Sequence, residues 1–362
     1  MALDDPQAVH STLPTVEIDG QSYPLLSANI VSVSMEESLG GMSSLEMSVT
    51  DWVARGDGSA GHGSDSGSPL KLGAGLRMFM GPAAVQAGEV FDGQVTALEC
   101  ETRESEPPLI TVIAEDRLFT ARRKRRSQLF ENKSISDIVN AIAGDHGLTP
   151  EVRDGLPTLT ATWAQQDETD LAFLRRILAR FDGDLQIVGA KLQVGKIGLN
   201  QRSALTLTAG STLESVRVTA DVADQVTGAK VTSHDPATGD AITGEAQAQG
   251  NGPGQGKTGA DVLNDKFAAV AWPLGHYGPM KQAEADAIAQ AEYDRRSRAF
   301  VRATGTAIGN AQLRVGSWVT LAGVNAQFAN DYAVIRCTHR YEPVHGYRTD
   351  FVAESAYLGD PA

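Results

Sequence analysis

The chain is poor in the residues that most often carry chemistry or anchor a protein. Two cysteines, Cys100 and Cys337, stand among 362 residues. They cannot build a disulfide framework or a four-ligand zinc site by themselves, and both read as buried small hydrophobes. No stretch approaches the roughly eighteen uninterrupted apolar residues of a membrane helix, so no direct transmembrane segment is expected. The opening MALDDPQAVHSTLP has acids where a secretory signal needs bases, and no apolar segment follows. Assembly in the cytoplasm is therefore expected. There is no GxSxG elbow, no HExxH and no CxxC, which removes the commonest local signatures of a hydrolase or a metal site.

Basic charge is scarce where the chain begins. Residues 1–117 hold 18 acidic and 5 basic side chains in a protein of net charge −14. Residues 118–203 reverse the balance with 13 basic against 10 acidic, and residues 204–362 carry 13 against 17. The acidic first third should repel polyanions. Otherwise the composition, 41% hydrophobic and 21% charged, is that of a soluble globular protein long enough for two or three cores.

Apolar residues recur with period two between Val16 and Ala114, as in SSLEMSVTDW with Leu45, Met47 and Val49. That alternation predicts half-buried antiparallel strands. A Gly/Ser stretch, Gly56 to Ser68, interrupts them as a flexible loop. The period then lengthens. Ser134 with Asp137 reads as a capping box ahead of Ile135, Ile138, Val139 and Ile142. A second helix is expected from near Asp167–Asp170, with Leu171, Leu174, Leu178 and Phe181 as its stripe. Two short strands follow about Gly189-Ala190. Strands return from Leu205, a polar Gly-rich insertion precedes a helix in MKQAEADAIAQAEYDRRSRAF, and strands close the chain. The expected fold class is β-rich α+β. It divides into a first β-domain (1–117), an α+β block (118–203), a second β-domain (204–235 with 300–362) and a helical, flexible insertion (236–299).

Apparent active-site motifs have plainer readings. NGPGQGKTG, Asn251 to Gly259, ends like a phosphate loop but has asparagine where the first glycine is required; it reads as a flexible linker. His339 and His345 bracket an expected turn, and His62 lies with Asp57 and Asp65 in the Gly/Ser loop; all read as solvent-facing or supporting residues, with no metal or other cofactor implied. Carboxylate pairs such as Glu168/Asp170 and Glu104/Glu106 are read as a solvated acidic surface, so no catalytic residue is assigned.

The run Arg122, Arg123, Lys124, Arg125 and Arg126 opens the only positive segment. A basic stretch of this length can be a nucleic-acid patch, but base-stacking aromatics are not interleaved within it and the neighbouring segments are acidic or neutral. It is expected to form part of a folded connection between a strand and a capped helix, facing solvent or an acidic partner. A nucleic-acid module using these five residues and a hub that also hydrolyses cell walls are the alternative readings.

Four stretches together, FDGQVTALE, LITVIAEDRLFTARRKRRSQLFENKSISDIVNAIAGDHGL, WAQQDETDLAFLRRILARFDGDLQI and AEADAIAQAEYDRRSRAFVRATGTAIGNAQLRVGSWVTLAGV, resemble the late control protein D group of baseplate hubs in contractile phage tails and the N-terminal hub part of VgrG. The family's E-T-D-x-x-F-x-x-R-L stretch matches Glu168, Thr169, Asp170, Phe173 and Arg176, with Ile177 at its end. The resemblance implies a structural protein and not an enzyme. It implies two β-barrel tube domains per chain and a homotrimer that adapts a sixfold inner tube to a threefold spike. Partners would be the inner tube protein, a separate spike polypeptide, and baseplate wedge or LysM-type tail proteins, with no specific nucleic acid. The particle would be a phage tail or a tail-like injection system. The basic run would start an outer domain and the acidic first segment would suit a lumen that holds no passing cargo.

Overall fold

The computed structural model describes residues 13–54, 60–62, 69–81, 88–246, 251–275 and 278–359. The period-two stretches form strands because alternate side chains can then share one buried face. In β4 (Ser44–Thr50), Leu45, Met47 and Val49 point into a core at 2% exposure or less. The first part of the chain comprises β1 (Thr15–Ile18), β2 (Gln21–Ser22), α1 (Pro24–Ala28), β3 (Ile30–Ser38), β4, the short hairpin β5 (Trp52–Ala54) and β6 (Ala60–His62), β7 (Gly75–Met80), β8 (Gly88–Glu101) and β9 (Leu109–Asp116). The last part comprises β15 (Ala204–Thr208), β16 (Leu213–Ala220), β21 (Val301–Ile308), β22 (Trp318–Ala322), β23 (Asp331–Glu342), β24 (Gly346–Ser355) and β25 (Tyr357–Leu358).

These parts are two copies of one plan. The first sheet path runs β3-β4-β9-β8-β7-β1 and the second β16-β21-β24-β23-β22-β15. Read in chain order, the strands occupy the same places in both. Even the irregularities coincide: β3 bulges between Ile30 and Ser32 where β16 bulges between Leu213 and Ser215. Likewise β8 bulges between Val95 and Ala97, and β23 between Val334 and Arg336. The copies differ at the outermost strand, since β1 runs antiparallel to β7 while β15 runs parallel to β22. The two units join edge to edge. Strand β23 pairs with β22 through its first residues and with β3 from Arg336 to Tyr341, which makes one 13-stranded sheet.

Between the units lie β10 (Arg125–Lys133), α2 (Ile135–Asp145), β11 (Thr149–Val152), β12 (Ala161–Thr169), α3 (Asp170–Ala179), β13 (Gly183–Val188) and β14 (Lys191–Lys196). The Ser134/Asp137 capping box is present, and α2 buries Ile135, Ile138, Val139 and Ile142, each worth about 1.5–3 kcal/mol. An insertion within the second unit adds β17 (Gly228–His234), β18 (Ala241–Glu245), β19 (Lys257–Thr258), α4 (Gly259–Lys266), β20 (Ala271–Leu274) and α5 (Gln282–Arg298). Middle block and insertion share one core, in which Phe130, Trp163, Phe173 and Phe181 meet Val231, Ile242, Met280 and Ile288.

Several expectations change. The basic run is not a plain connection: Arg117–Arg122 form a 3-10 turn, and Arg125 and Arg126 already belong to β10, paired with β12. Asp167 to Thr169 end β12, so α3 begins only at Asp170. Gly228–His234 pairs with β18 and β20 and not with the main sheet. The NGPGQGKTG stretch leads into a helix: Thr258 caps α4 by accepting the Asp261 N–H, and the Asp261 carboxylate accepts the Thr258 N–H in return. His345 is exposed, but His339 is fully buried on β23. Cys337 is buried as expected while Cys100 is exposed. The Gly56–Ser68 stretch falls outside the described residues except for its part in β6, as do Asp57 and Asp65. Among the described residues no helix is long and apolar enough to cross a membrane.

Candidate functional site

The basic run is largely neutralised by its own chain. Arg122 reaches both oxygens of Glu115 at 2.5 Å and stacks over Phe119. Arg125 meets Asp167 at 3.2 Å. Arg126 bridges Asp170 at 2.6 Å and Asp145 at 2.8 Å. Arg123 lies over the Phe119 ring, and among the described residues neither it nor Lys124 has an ion pair. Those two exposed cations at the head of β10 are what the run offers to a partner.

The E-T-D stretch is a clasp. Thr169 caps α3 by accepting the Ala172 N–H. Asp170 is 6% exposed and accepts from Arg126, His146 and Gln165 at 2.6–2.9 Å. Those donors hold its carboxyl below the usual aspartate range although burial opposes them. It thus ties β10, α2, β12 and α3 together and is no part of a solvated acidic surface. Glu168 takes Arg176 bidentately at 2.8 and 2.9 Å, while Arg176 covers the Phe173 ring, itself stacked on Phe130 at 5.5 Å. Ile177 is buried beside them.

The middle block grips the β3–β4 turn of the first unit. Arg175 donates to the Gly40 and Gly41 carbonyls at 2.6 and 2.8 Å, Gln186 donates to Ser38, and Asp184 accepts the Gly40 N–H at 2.6 Å. Both glycines have positive φ, and a Cβ on Gly41 would fall 2.7 Å from Leu185. Burial pushes the Asp184 carboxyl up to about 6.

Sequence reading missed a buried polar cluster that joins the two units. Glu37, 2% exposed on β3, accepts from Arg314 twice at 2.9 Å, from Arg202 at 3.0 Å and from the Val315 N–H at 2.9 Å. Burial alone would raise its pKa; the two guanidinium groups outweigh that and hold it well below the usual glutamate range. Opposite it lies Cys337, whose thiol is pushed far up by burial and by Glu37. His339 Nε2 is 3.9 Å from that sulfur and Nδ1 is 2.7 Å from the Tyr347 hydroxyl; burial takes the imidazole down to about 3. Cys337 and His339 are both at 0% exposure, so this pair is a neutral packing element without solvent access and not a nucleophile with its base. The one signal for it is phase: Glu37 stands at alternate positions from the buried Val33 and Met35 along β3. A second buried pair, Arg298 with Asp182 at 2.6 and 3.0 Å, pins α5 to the end of α3. Among the described residues no group of three or more His, Cys, Asp or Glu could hold a metal.

The fold is shared along its whole length with phage tail proteins. A 43 kDa tail protein of prophage MuSo2 from Shewanella oneidensis superposes with a TM-score of 0.68 at 12% identity, over 95% of this chain and 98% of that one. A tail protein of Neisseria meningitidis gives 0.67 at 9%, over 96% of each. An E. coli component of the type VI secretion system, itself similar to tail proteins of bacteriophage T4, gives 0.63 at 13%, over 96% and 79%. The resemblance to baseplate hub proteins read from the sequence therefore holds at the level of fold. No curated protein matches the chain. A family model does: over residues 10–342 the sequence fits the model described as the Alg8 N-terminal domain, and the chain belongs to that family.

Proposed function

We propose that this protein is a structural hub of a contractile tail or tail-like injection particle. The observation that carries the reading is the shared fold, end to end, with a tail protein, together with a duplicated β-unit in each chain. In this reading the two units are the tube barrels, three chains supply six of them, and a sixfold inner tube docks on one side while a threefold spike docks on the other. The β-domain at 1–117 is the first barrel. The second is centred on residues 204–220 and 301–358. The blocks at 118–203 and 221–300 form its outer shell, where Arg123 and Lys124 face wedge or LysM-type tail proteins. The work is mechanical, and it calls on no catalytic group.

Sedimentation of the purified chain, alone and mixed with candidate spike and tube proteins, tests this. A species near 115 kDa, about three times 38.3 kDa, that binds the spike supports it. A chain that stays monomeric in every mixture overturns it.

A further inference from the structure

A cleft of about 610 Å³ separates the start of β12 from the segment that leads into α5. One wall is Leu159 to Trp163, five residues in a row. Successive side chains of a strand point to opposite faces, so a wall that all five share is an edge of the chain, with backbone groups in the cleft. Phase agrees with this. The Ala164 carbonyl is taken by Arg176 of α3 at 2.7 Å, on the side away from β10. Alternate residues of a strand turn to the same edge, so Thr162 also points its N–H and C=O away from β10. The irregularity of the β10–β12 pairing here lies on β10, between Phe130 and Lys133, which leaves the phase of β12 unbroken. Among the described residues β12 pairs with β10 alone.

The facing wall, Pro236 with Gly278 to Lys281, has no such edge. The Gly278 carbonyl accepts from Ser233, the Met280 N–H donates to His234, Pro279 has no N–H, and the Lys281 carbonyl accepts from Glu284 and Ala285. The floor is apolar, with Trp163 and Met280 both buried. Arg180 and Glu284 also line the cleft and pair with each other at 2.7 Å. Lys281 is exposed and has no ion pair among the described residues, so the cleft carries one cation in excess. We infer that it takes an extended segment of a partner protein, added as a strand along Thr160–Thr162, with an apolar side chain on Trp163 and Met280 and an acidic one at Lys281. A compact apolar ligand would cover the floor and leave the edge unpaired; a strand satisfies edge, floor and charge together. The added strand is short, because α3 already occupies the edge at Ala164. This site goes beyond the hub reading and is present in a single chain.

The test pans a displayed random-peptide library on the full-length chain and measures the enriched peptides, once synthesised, by isothermal titration. Thr162→Pro removes the cleft-facing N–H and spares the ladder with β10; it should weaken binding about tenfold. Lys281→Glu should weaken it about two- to fivefold. A peptide whose acid is changed to lysine should then prefer Lys281→Glu over the wild type, an exchange of preference that misfolding cannot produce. Enriched peptides that bind Thr162→Pro as tightly as the wild type overturn the inference, as do enriched sequences without an acidic residue. Decanoate bound alike by wild type and Thr162→Pro, with no peptide enriched, makes the cleft a small-molecule site and overturns the partner strand. Self-association that is lost in Thr162→Pro gives the cleft to a second copy and overturns it too. No enrichment of any peptide does the same.

Discussion

The two β-units share strand order and bulge positions, yet they are filled and extended differently. At equivalent cross-strand sites the first unit sets Met47 beside Val112, and the second sets Gly305 beside Phe351. A Cβ on Gly305 would lie 2.6 Å from the Ser215 carbonyl and 3.0 Å from the Phe351 ring, so the volume has moved across the pair. The connections diverge more. Residues 39–43 turn tightly between β3 and β4, while residues 221–300 span the same place between β16 and β21. The backbone hydrogen-bond plan is thus the retained quantity; side-chain volume and loop length vary around it.

The largest expected effect comes from breaking the join between the units. Glu37→Gln leaves Arg202 and Arg314 buried without their carboxylate and should cost about 3–5 kcal/mol, read from urea unfolding; an unchanged midpoint would refute its role. The wild-type carboxylate is held low, so its contribution is present above the ordinary glutamate range and is lost as pH falls below it. Next, Gly305→Ala should cost about 1–3 kcal/mol by overpacking. Placing alanine at Met47 opens a cavity instead, at about 2–5 kcal/mol, and a Gly305→Ala/Phe351→Leu pair that regains stability would sharpen the volume exchange. Smaller is the Asp184 effect. A carboxyl raised to about 6 when folded binds its proton more tightly in the native state, so stability declines as pH rises from about 4 towards 6 and then levels. Asp184→Asn should flatten that slope in thermal melts, and a slope that persists would assign it elsewhere. Least of all, Arg123→Ser/Lys124→Ser should shift stability by no more than about 0.5 kcal/mol while lowering affinity for an acidic outer partner, measured by salt-dependent binding.

Strands with one solvent face were legible, because Leu45, Met47 and Val49 alternate with polar neighbours. The Ser134 cap was legible for an equally local reason. β10 was not, since RRSQLFENK buries only Phe130 fully and carries two register shifts against β12; a doubly bulged ribbon leaves no period to read. His339 and Glu37 were hidden differently. They look like exposed polar residues until a strand far away in sequence covers them. The duplication itself is not legible in the sequence, since equivalent positions hold residues as unlike as Met47 and Gly305. Pairing and bulges carry the repeat, and neither is written in residue identity.

The ladder between β23 and β3 also sets how the molecule bears load. Its hydrogen bonds run across the strands, from Arg336–Ser38 to Tyr341–Val33. A pull along the strands strains every rung together, whereas a pull that peels one unit from the other opens them singly. The chain is therefore stiff against thrust in the strand direction and compliant to hinging about the join, like a stave in a hooped cask.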